Sequence, residues 1–312
     1  MSRSSDRKAV LIVNPRSANG TTGRDWANIS REIKRGLQSD FDVKFTEQQG
    51  HATLLTSEAI KEGFELVVAV GGDGTINEVV NGFFQNGKPF NPNAALAVMS
   101  IGTGSDFVKT LELPTTPFEC AERIRSGKVW AIDLGRCSFI DLKGEKRSRF
   151  FINIAESGFG GVVVDKVNRT TKAFGGPISF LWAILTTLPT YKNKVTNCRI
   201  DDGPEHEEVL NMLIVANGRY YGGGLKPAPN AQLDDGLFDI VSIGDLGFSE
   251  AVSSLGKFRK GTHLGLAKVS FSRGRTVVAS SDETQLVEME GEVVGRLPAR
   301  FEILPKAINI IA

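Results

Sequence analysis

Cysteine and histidine are scarce in this 312-residue chain, three of each. Cys120, Cys137 and Cys198 are far apart, odd in number and form no CxxC pair, which argues against a disulfide framework or a cysteine zinc site. His51, His206 and His263 have no HExxH spacing. A dominant charge is missing too: 37 Lys+Arg face 36 Asp+Glu, a net +1. That leaves no global attraction to nucleic acid. No apolar run reaches the roughly 20 residues needed to span a bilayer. The most apolar helical candidate, ISFLWAILTTL at 178–188, is expected to be a core helix. The apolar run in MSRSSDRKAVLIVNP is too short for a signal peptide and reads as a first strand. Cytoplasmic residence is the default expectation. There is no GxxxxGK[ST] for a Walker loop, and neither HRD nor DFG for a protein kinase. The first strand runs into NPRSANG, where a dinucleotide fold wants GxGxxG. Internal repeats, low-complexity tracts and long linkers are absent.

What is present is an ordinary globular composition, 41% hydrophobic and 23% charged, with 34 glycines. The telling stretch is ELVVAVGGDGTINEVVNG at 65–82. The valine-rich run at 66–70 suits a strand buried on both faces. Gly71, Gly72 and Gly74 then permit a tight turn through backbone angles that side chains forbid. Thr75 and Glu78 form a capping-box pattern, and Ile76, Val79, Val80 and Phe83 follow at helical spacing, with Gly87 as the C′ residue. Strand, glycine turn and helix N-terminus together make an anion site from backbone N–H groups. Asp73 is the anomaly in it. A carboxylate about 4 Å from a phosphate charge is repelled by roughly 4 kcal/mol at an effective dielectric near 20. A metal-bound polyphosphate would accommodate it.

The first part of the chain alternates strands (8–14, 41–46, 66–70, 94–100) with helices (26–37, 51–61, 117–126). This predicts a mostly parallel, doubly wound α/β sheet, with ligands at the carboxyl ends of its strands. After about residue 130 the rhythm changes. A hairpin surrounds DLKGEKR, one or two helices occupy 160–190, and strands are expected at 194–201, 208–216, 237–243, 266–272, 275–280, 285–290 and 299–304. That favours a mainly antiparallel β-sandwich with a few helices. The expected domains are 1–131 with the tail 305–312, which binds nucleotide, and 132–304, which binds substrate. The active site is expected in the cleft between them.

GTGSDF at 102–107 is a second glycine turn with an acid. Ser105 or Asp106 would cap the next helix, and beside GGDG the turn becomes a second wall of one phosphate site. Asn14, Ser17, Asn19 and Gly20 form a polar loop that could face the same sheet edge. Glu288, Glu290 and Glu292 alternate as one face of a strand would, and read without context they are a solvated acidic face.

With these motifs assembled, the chain resembles the diacylglycerol kinase catalytic-domain family, the bacterial soluble lipid kinases above all, with sphingosine and ceramide kinases as relatives. The likeness runs nearly end to end. It includes IVNPRSANG, GHATLLTSEA, GGDGTINEVVNG, GTGSDF, IDLG, FINIAESGFGG, VANGRYYGGGLKPAPNAQLDDGLFDI and EMEGEVVGRLPARFEILPKAI. The resemblance implies ATP and Mg²⁺, with γ-phosphoryl transfer to a lipid hydroxyl. Asn14, Gly71, Gly72, Asp73, Gly74, Thr75, Gly102 and Thr103 match positions that line the nucleotide. Asp73 and Asp106 match acids that organise phosphates and metal, and Glu292 matches the general base of a DGE motif. LDDGLF at 233–238 resembles a structural Mg²⁺ segment, with Asp235 joined by backbone oxygens of Gln232 and Leu237; a plain DG turn is the alternative. Two departures stand out: Ser105 replaces a frequent asparagine, and Glu290 replaces the aspartate of DGE.

The implied partners are ATP and a lipid met at the membrane surface, peripheral to its inner face. Lys166, Arg169 and Lys172 are a candidate basic patch or simply a solvated helix face. A kinase related to the NAD kinases shares GGDG, but TINEVVNG and the EGE block favour the lipid branch. A non-catalytic nucleotide or lipid sensor would have lost Asp73, Asp106 or Glu292, and all three are present. The identity of the lipid and the oligomeric state stay open.

Overall fold

The structure, a computed structural model, describes residues 7–101, 105–169 and 176–312. Gly102, Thr103 and Lys172, singled out above, lie outside the described residues. The chain divides into two compact units: residues 1–132 with 306–312, and residues 133–305.

Unit 1 opens with β1 (Ala9–Val13), α1 (Thr21–Arg24), α2 (Trp26–Leu37), β2 (Phe41–Phe45), α3 (His51–Lys61), β3 (Leu66–Val70) and α4 (Asp73–Gly82). A two-stranded hairpin, β4 (Phe84–Gln85) and β5 (Lys88–Pro89), leads to β6 (Ala95–Met99), α5 (Asp106–Thr110) and α6 (Pro117–Ser126). The strand order is β2-β1-β3-β6, all parallel, and residues 309–311 of the C-terminal strand add to β6, also in parallel. Strands β1, β3 and β6 are buried along their whole length, because helices cover both faces. On one face Leu11, Val68 and Ala97 meet Ile29 and Ile33 of α2 and Ala121 and Ile124 of α6. The helices α2 and α6 touch at Gly36, where a Cβ would stand 2.7 Å from the Phe118 carbonyl oxygen. The register pairs Val13 with Val70 and Val70 with Met99, so β1, β3 and β6 end level, and the loops after them leave from one edge.

Two local expectations need correction. The helix begins at Asp73 and has no side-chain cap of its own. Glu78 instead reaches the neighbouring helix: its carboxylate accepts from Gly50 N at 2.8 Å and Ala52 N at 3.1 Å, at the N-terminus of α3. Gly87 is not a helix C′ residue. With Asn86 (φ 51°) it makes the two-residue turn of the β4–β5 hairpin, Gly87 at φ 79°.

Unit 2 holds β7 (Val129–Ile140, which begins in unit 1), β8 (Lys146–Phe151), β9 (Ile154–Gly158), α7 (Phe159–Arg169), α8 (Gly176–Thr187), β10 (Lys194–Ile200), β11 (Glu205–Leu210), β12 (Met212–Ala216), β13 (Phe238–Ile243), α9 (Phe248–Lys260), β14 (Val269–Gly274), β15 (Thr276–Ser280), β16 (Leu286–Met289) and β17 (Glu292–Ile311). Every strand pair within it with a stated register is antiparallel. Alternation along β9, β12 and β13 separates two cores. Ala155, Leu213, Val215, Phe238 and Ile240 face a sandwich interior with Phe151 and Phe301. Ile154, Met212, Ile214, Ala216 and Val241 face the helical layer, with Val163, Ala183, Ile184 and Phe258. Phe151 stacks on Phe238 with ring centroids 5.6 Å apart.

The expected strand at 208–216 is two, broken at Asn211, and helix α9 was not foreseen individually. The expected core helix is only half a core helix. Ala183 and Ile184 are buried, whereas Leu181 is 48% and Trp182 67% exposed.

The Glu78 contact makes a stability prediction. Glu78→Ala removes the only acceptor shown here for two backbone donors of α3, and should cost about 1 kcal/mol. Thermal unfolding should show a lower Tm, largely retained by Glu78→Gln, which keeps one carbonyl oxygen.

Candidate functional site

In unit 1 the level strand ends bring three loops together. Asn14, after β1, donates from Nδ2 to Thr75 Oγ1 at 3.0 Å, and its backbone N–H continues the ladder to Val70 O at 2.9 Å. Gly71, after β3, donates to Met99 O at 3.2 Å. None of Gly71, Gly72 and Gly74 has a positive φ, so the expected reason for these glycines is not the right one at this turn. Gly71 is needed for close approach: a Cβ there would stand 2.6 Å from Thr75 Oγ1. Gly72 sits at φ −90°, and a Cβ there would meet nothing within 4 Å. Among the described residues nothing crowds this backbone at the start of α4, where the amides of a helix N-terminus suit an anion.

The Asp73 carboxylate is engaged by the second turn. Oδ1 accepts from Ser105 Oγ at 2.7 Å and Phe107 N at 3.1 Å, and Oδ2 accepts from Asp106 N at 3.0 Å. Asp73 therefore caps α5 from another loop. Ser105 is the N-cap residue of α5 by position, yet its side chain makes no cap hydrogen bond. Its hydroxyl serves Asp73 instead, so the serine in place of asparagine keeps a donor in use. Asp106 is buried and pairs with Lys109 Nζ at 2.6 Å.

In unit 2 the three glutamates do not share a strand face. Glu290 (φ 55°) and Gly291 (φ 83°) form the hairpin turn between β16 and β17, a geometry that suits glycine at its second position. The Glu290 carboxylate accepts from Ile152 N at 2.9 Å and Asn153 N at 2.7 Å, docking the turn on the loop after β8. Here the longer arm of glutamate, where the family pattern has aspartate, spans to two amides. Glu292 opens β17, its side chain 23% exposed and its Oε2 held by Arg149 Nη1 at 2.6 Å. Glu288 is buried opposite Glu156 of β9. Burial lifts the Glu156 carboxyl to about 8. Burial first, then the facing Glu156, lifts Glu288 well above the carboxylate range. Two carboxyls withdrawn from water cannot both ionise cheaply, so the pair keeps at least one proton at neutral pH.

The LDDGLF segment, expected to hold a structural cation, is a turn. Asp235 and Gly236 (φ 74°) make a tight turn before β13. Asp235 Oδ1 accepts from Leu237 N at 3.0 Å, Asp235 Oδ2 pairs with Arg273, and the same guanidinium holds Asp239 at 2.8 Å. Asp133 Oδ2 accepts from Gly236 N at 2.7 Å. The Asp235 carboxylate, the side-chain ligand of the expected site, is thus engaged by a guanidinium and a backbone amide in this structure.

Sequence reasoning missed Glu156, Glu288 as a buried group, Arg149 and Arg273. A carboxylate in the apolar run FINIAESG was the available signal for the first. The partners of the others are distant in sequence.

Residues 8–137 match the family model described as the diacylglycerol kinase catalytic domain, and residues 153–312 match the YegS C-terminal NAD kinase beta sandwich-like domain. The chain belongs to this diacylglycerol kinase family of two-domain proteins. It is 28% identical over 306 residues to a diacylglycerol kinase of Staphylococcus carnosus (strain TM300), covering 97% of this chain and 94% of that one. It is 29% identical over 310 residues to one of Staphylococcus aureus (strain JH9), covering 98% and 92%. A crystal structure from Bacillus anthracis str. Sterne, provisionally assigned as a diacylglycerol kinase, matches with a TM-score of 0.77 at 25% identity, covering 98% of this chain and 95% of that one. These relatives support a lipid kinase role.

Asp73→Ala removes three hydrogen bonds that organise α5. It should lower stability by about 1–2 kcal/mol. Calorimetric unfolding tests this, and an unchanged Tm would show that these hydrogen bonds do not hold α5.

Proposed function

We propose that this protein is an ATP- and Mg²⁺-dependent kinase that transfers the γ-phosphoryl group to the hydroxyl of a diacylglycerol-like lipid. The observation that carries the reading is the turn at Gly72, where a bare backbone opens onto helix amides beside Asn14 and Thr75. In this reading the amides of 71–75 and the loop after β6, which includes Gly102 and Thr103, hold the phosphates, with Asp73 keeping the two turns in register. Asp106 is the carboxylate that would serve Mg²⁺ beside them. Bound Mg²⁺ supplies charge neutralisation at the phosphates.

Glu292 accepts the proton of the lipid hydroxyl as the hydroxyl oxygen attacks the γ-phosphorus and the bond to the departing ADP oxygen breaks. Arg149 orients the Glu292 side chain. An alcohol is a poor nucleophile until its proton is taken, which is why a placed carboxylate matters. No described helix is long and apolar enough to cross a membrane. Leu181, Trp182 and Leu185 of α8 leave an apolar surface exposed, which supports action at a lipid surface.

Purified protein should move label from γ-labelled ATP to diacylglycerol in mixed micelles. Glu292→Gln should lower kcat by about 10²–10⁴-fold with ATP affinity retained. Label appearing in NADP when NAD is supplied, or full activity of the variant, would overturn the assignment.

For the surface, Trp182→Glu should raise the apparent KM for lipid in vesicles several-fold, while activity on a dispersed short-chain diacylglycerol stays unchanged. Equal effects on both substrates would remove α8 from the reading.

A further inference from the structure

The loop that presents Glu292 is tied to a buried feature with no assigned role. Glu156 is 1% exposed and Glu288 3%, and they stand opposite each other on the antiparallel strands β9 and β16. Among the described residues neither pairs with a lysine or arginine. Glu288 Oε1 accepts from Gly291 N, the residue just before Glu292. The β16–β17 register shifts between Val287 and Glu288. The side chain of Glu156 lies against the first turn of α7, where a Cβ on Gly160 would fall 1.4 Å from Glu156 Oε1. Its Oε2 is buried and has no hydrogen-bond partner. Other groups acting on the pair are the Tyr191 and Tyr221 hydroxyls and Glu292.

We propose that the Glu156–Glu288 carboxyl pair is the device that sets the Glu290–Gly291 turn and thereby aims Glu292, which makes both acids positioning residues for the reaction. This rests on Glu292 acting as the base. The chemistry is specific. Glu288 holds the shared proton and donates to Glu156, and its other oxygen is left to accept from the Gly291 amide of the turn. Two buried carboxyls are costly for a role that apolar side chains could fill if only packing were needed. What apolar side chains lack is an acceptor for the N–H of Gly291, which fixes the turn just before the residue whose side chain must be aimed. Glu290 holds the same turn from its other side through Ile152 and Asn153. The turn is thus pinned by carboxyl groups on both flanks, and a displacement of about 1 Å at a reacting group can cost of order 10²-fold in rate.

The test is a set of variants assayed with γ-labelled ATP and diacylglycerol in mixed micelles. Glu288→Ala should lower kcat by about 10–100-fold with the KM for ATP unchanged. Glu288→Gln should stay within about threefold of the parent, because its carbonyl oxygen accepts from Gly291 and its amide donates to Glu156. Glu156→Gln should behave likewise, since its carbonyl oxygen accepts from Glu288. In a Glu292→Gln background, Glu288→Ala should add almost nothing, because a residue that acts only through Glu292 has nothing left to aim. A full additional loss in that background, or Glu288→Gln as impaired as Glu288→Ala, would overturn the proposal and leave Glu292 as the base. Glu292→Gln with full activity would instead overturn the base and the aiming role with it. Amide hydrogen exchange adds a readout that needs no substrate. Gly291 and Glu292 should exchange faster in Glu288→Ala and at the parental rate in Glu288→Gln, and unchanged exchange in Glu288→Ala would refute the hold on the turn.

Discussion

Three donors converge on the Asp73 carboxylate: the Ser105 hydroxyl and the backbone amides of Asp106 and Phe107. Asp73 is itself the first residue of α4. One side chain therefore stands at the N-terminus of its own helix and caps that of another. This resolves the charge that seemed out of place in a phosphate turn. A negative group at two helix N-termini is favoured by the dipoles and unpaired amides there. The parallel sheet makes the contact possible, because β3 and β6 end level and release their loops from the same edge.

The acids of unit 2 follow a different economy. Glu290 is spent on two backbone amides, Glu292 is steadied by Arg149, and Glu288 is buried against Glu156. Within five residues, one carboxyl docks a turn, one faces partly outward and one is withdrawn from water. Their differences come from the hairpin at Glu290–Gly291, which reverses the chain between Glu288 and Glu292. In a continuous strand the three would have shared one environment. The same logic governs Asp235, where Arg273 supplies the positive charge that a cation would otherwise bring.

Much of the scaffold was legible. The strand at Leu66–Val70 and the helices at His51–Lys61 and Pro117–Ser126 stand where periodicity and punctuation put them, because long apolar patterns bounded by breakers leave few alternatives. The tail, assigned to the first domain from the sequence, does join unit 1. Less was legible at the site. Asn14, Gly71, Gly72 and Thr75 do gather at one edge, as strand order implies. The capping box at Thr75 and the strand face at 288–292 were wrong, since a spacing pattern cannot say which neighbour a side chain will reach.

The amino-acid sequence by itself determined the two fold classes, the parallel sheet edge that gathers the glycine turns, and the family. The fold classes and the sheet edge follow from hydrophobic period, strand–helix alternation and turn residues, all local along the chain, and the family from the resemblance of its ordered motifs. Only the tertiary structure decided what each charged side chain does. It gave Asp73 to a helix 33 residues away in sequence, Glu78 to the start of α3, Arg149 to Glu292 and Glu156 to Glu288. Hydrogen bonds and ion pairs are satisfied by whichever donor lies within about 3 Å, and that proximity is created by folding.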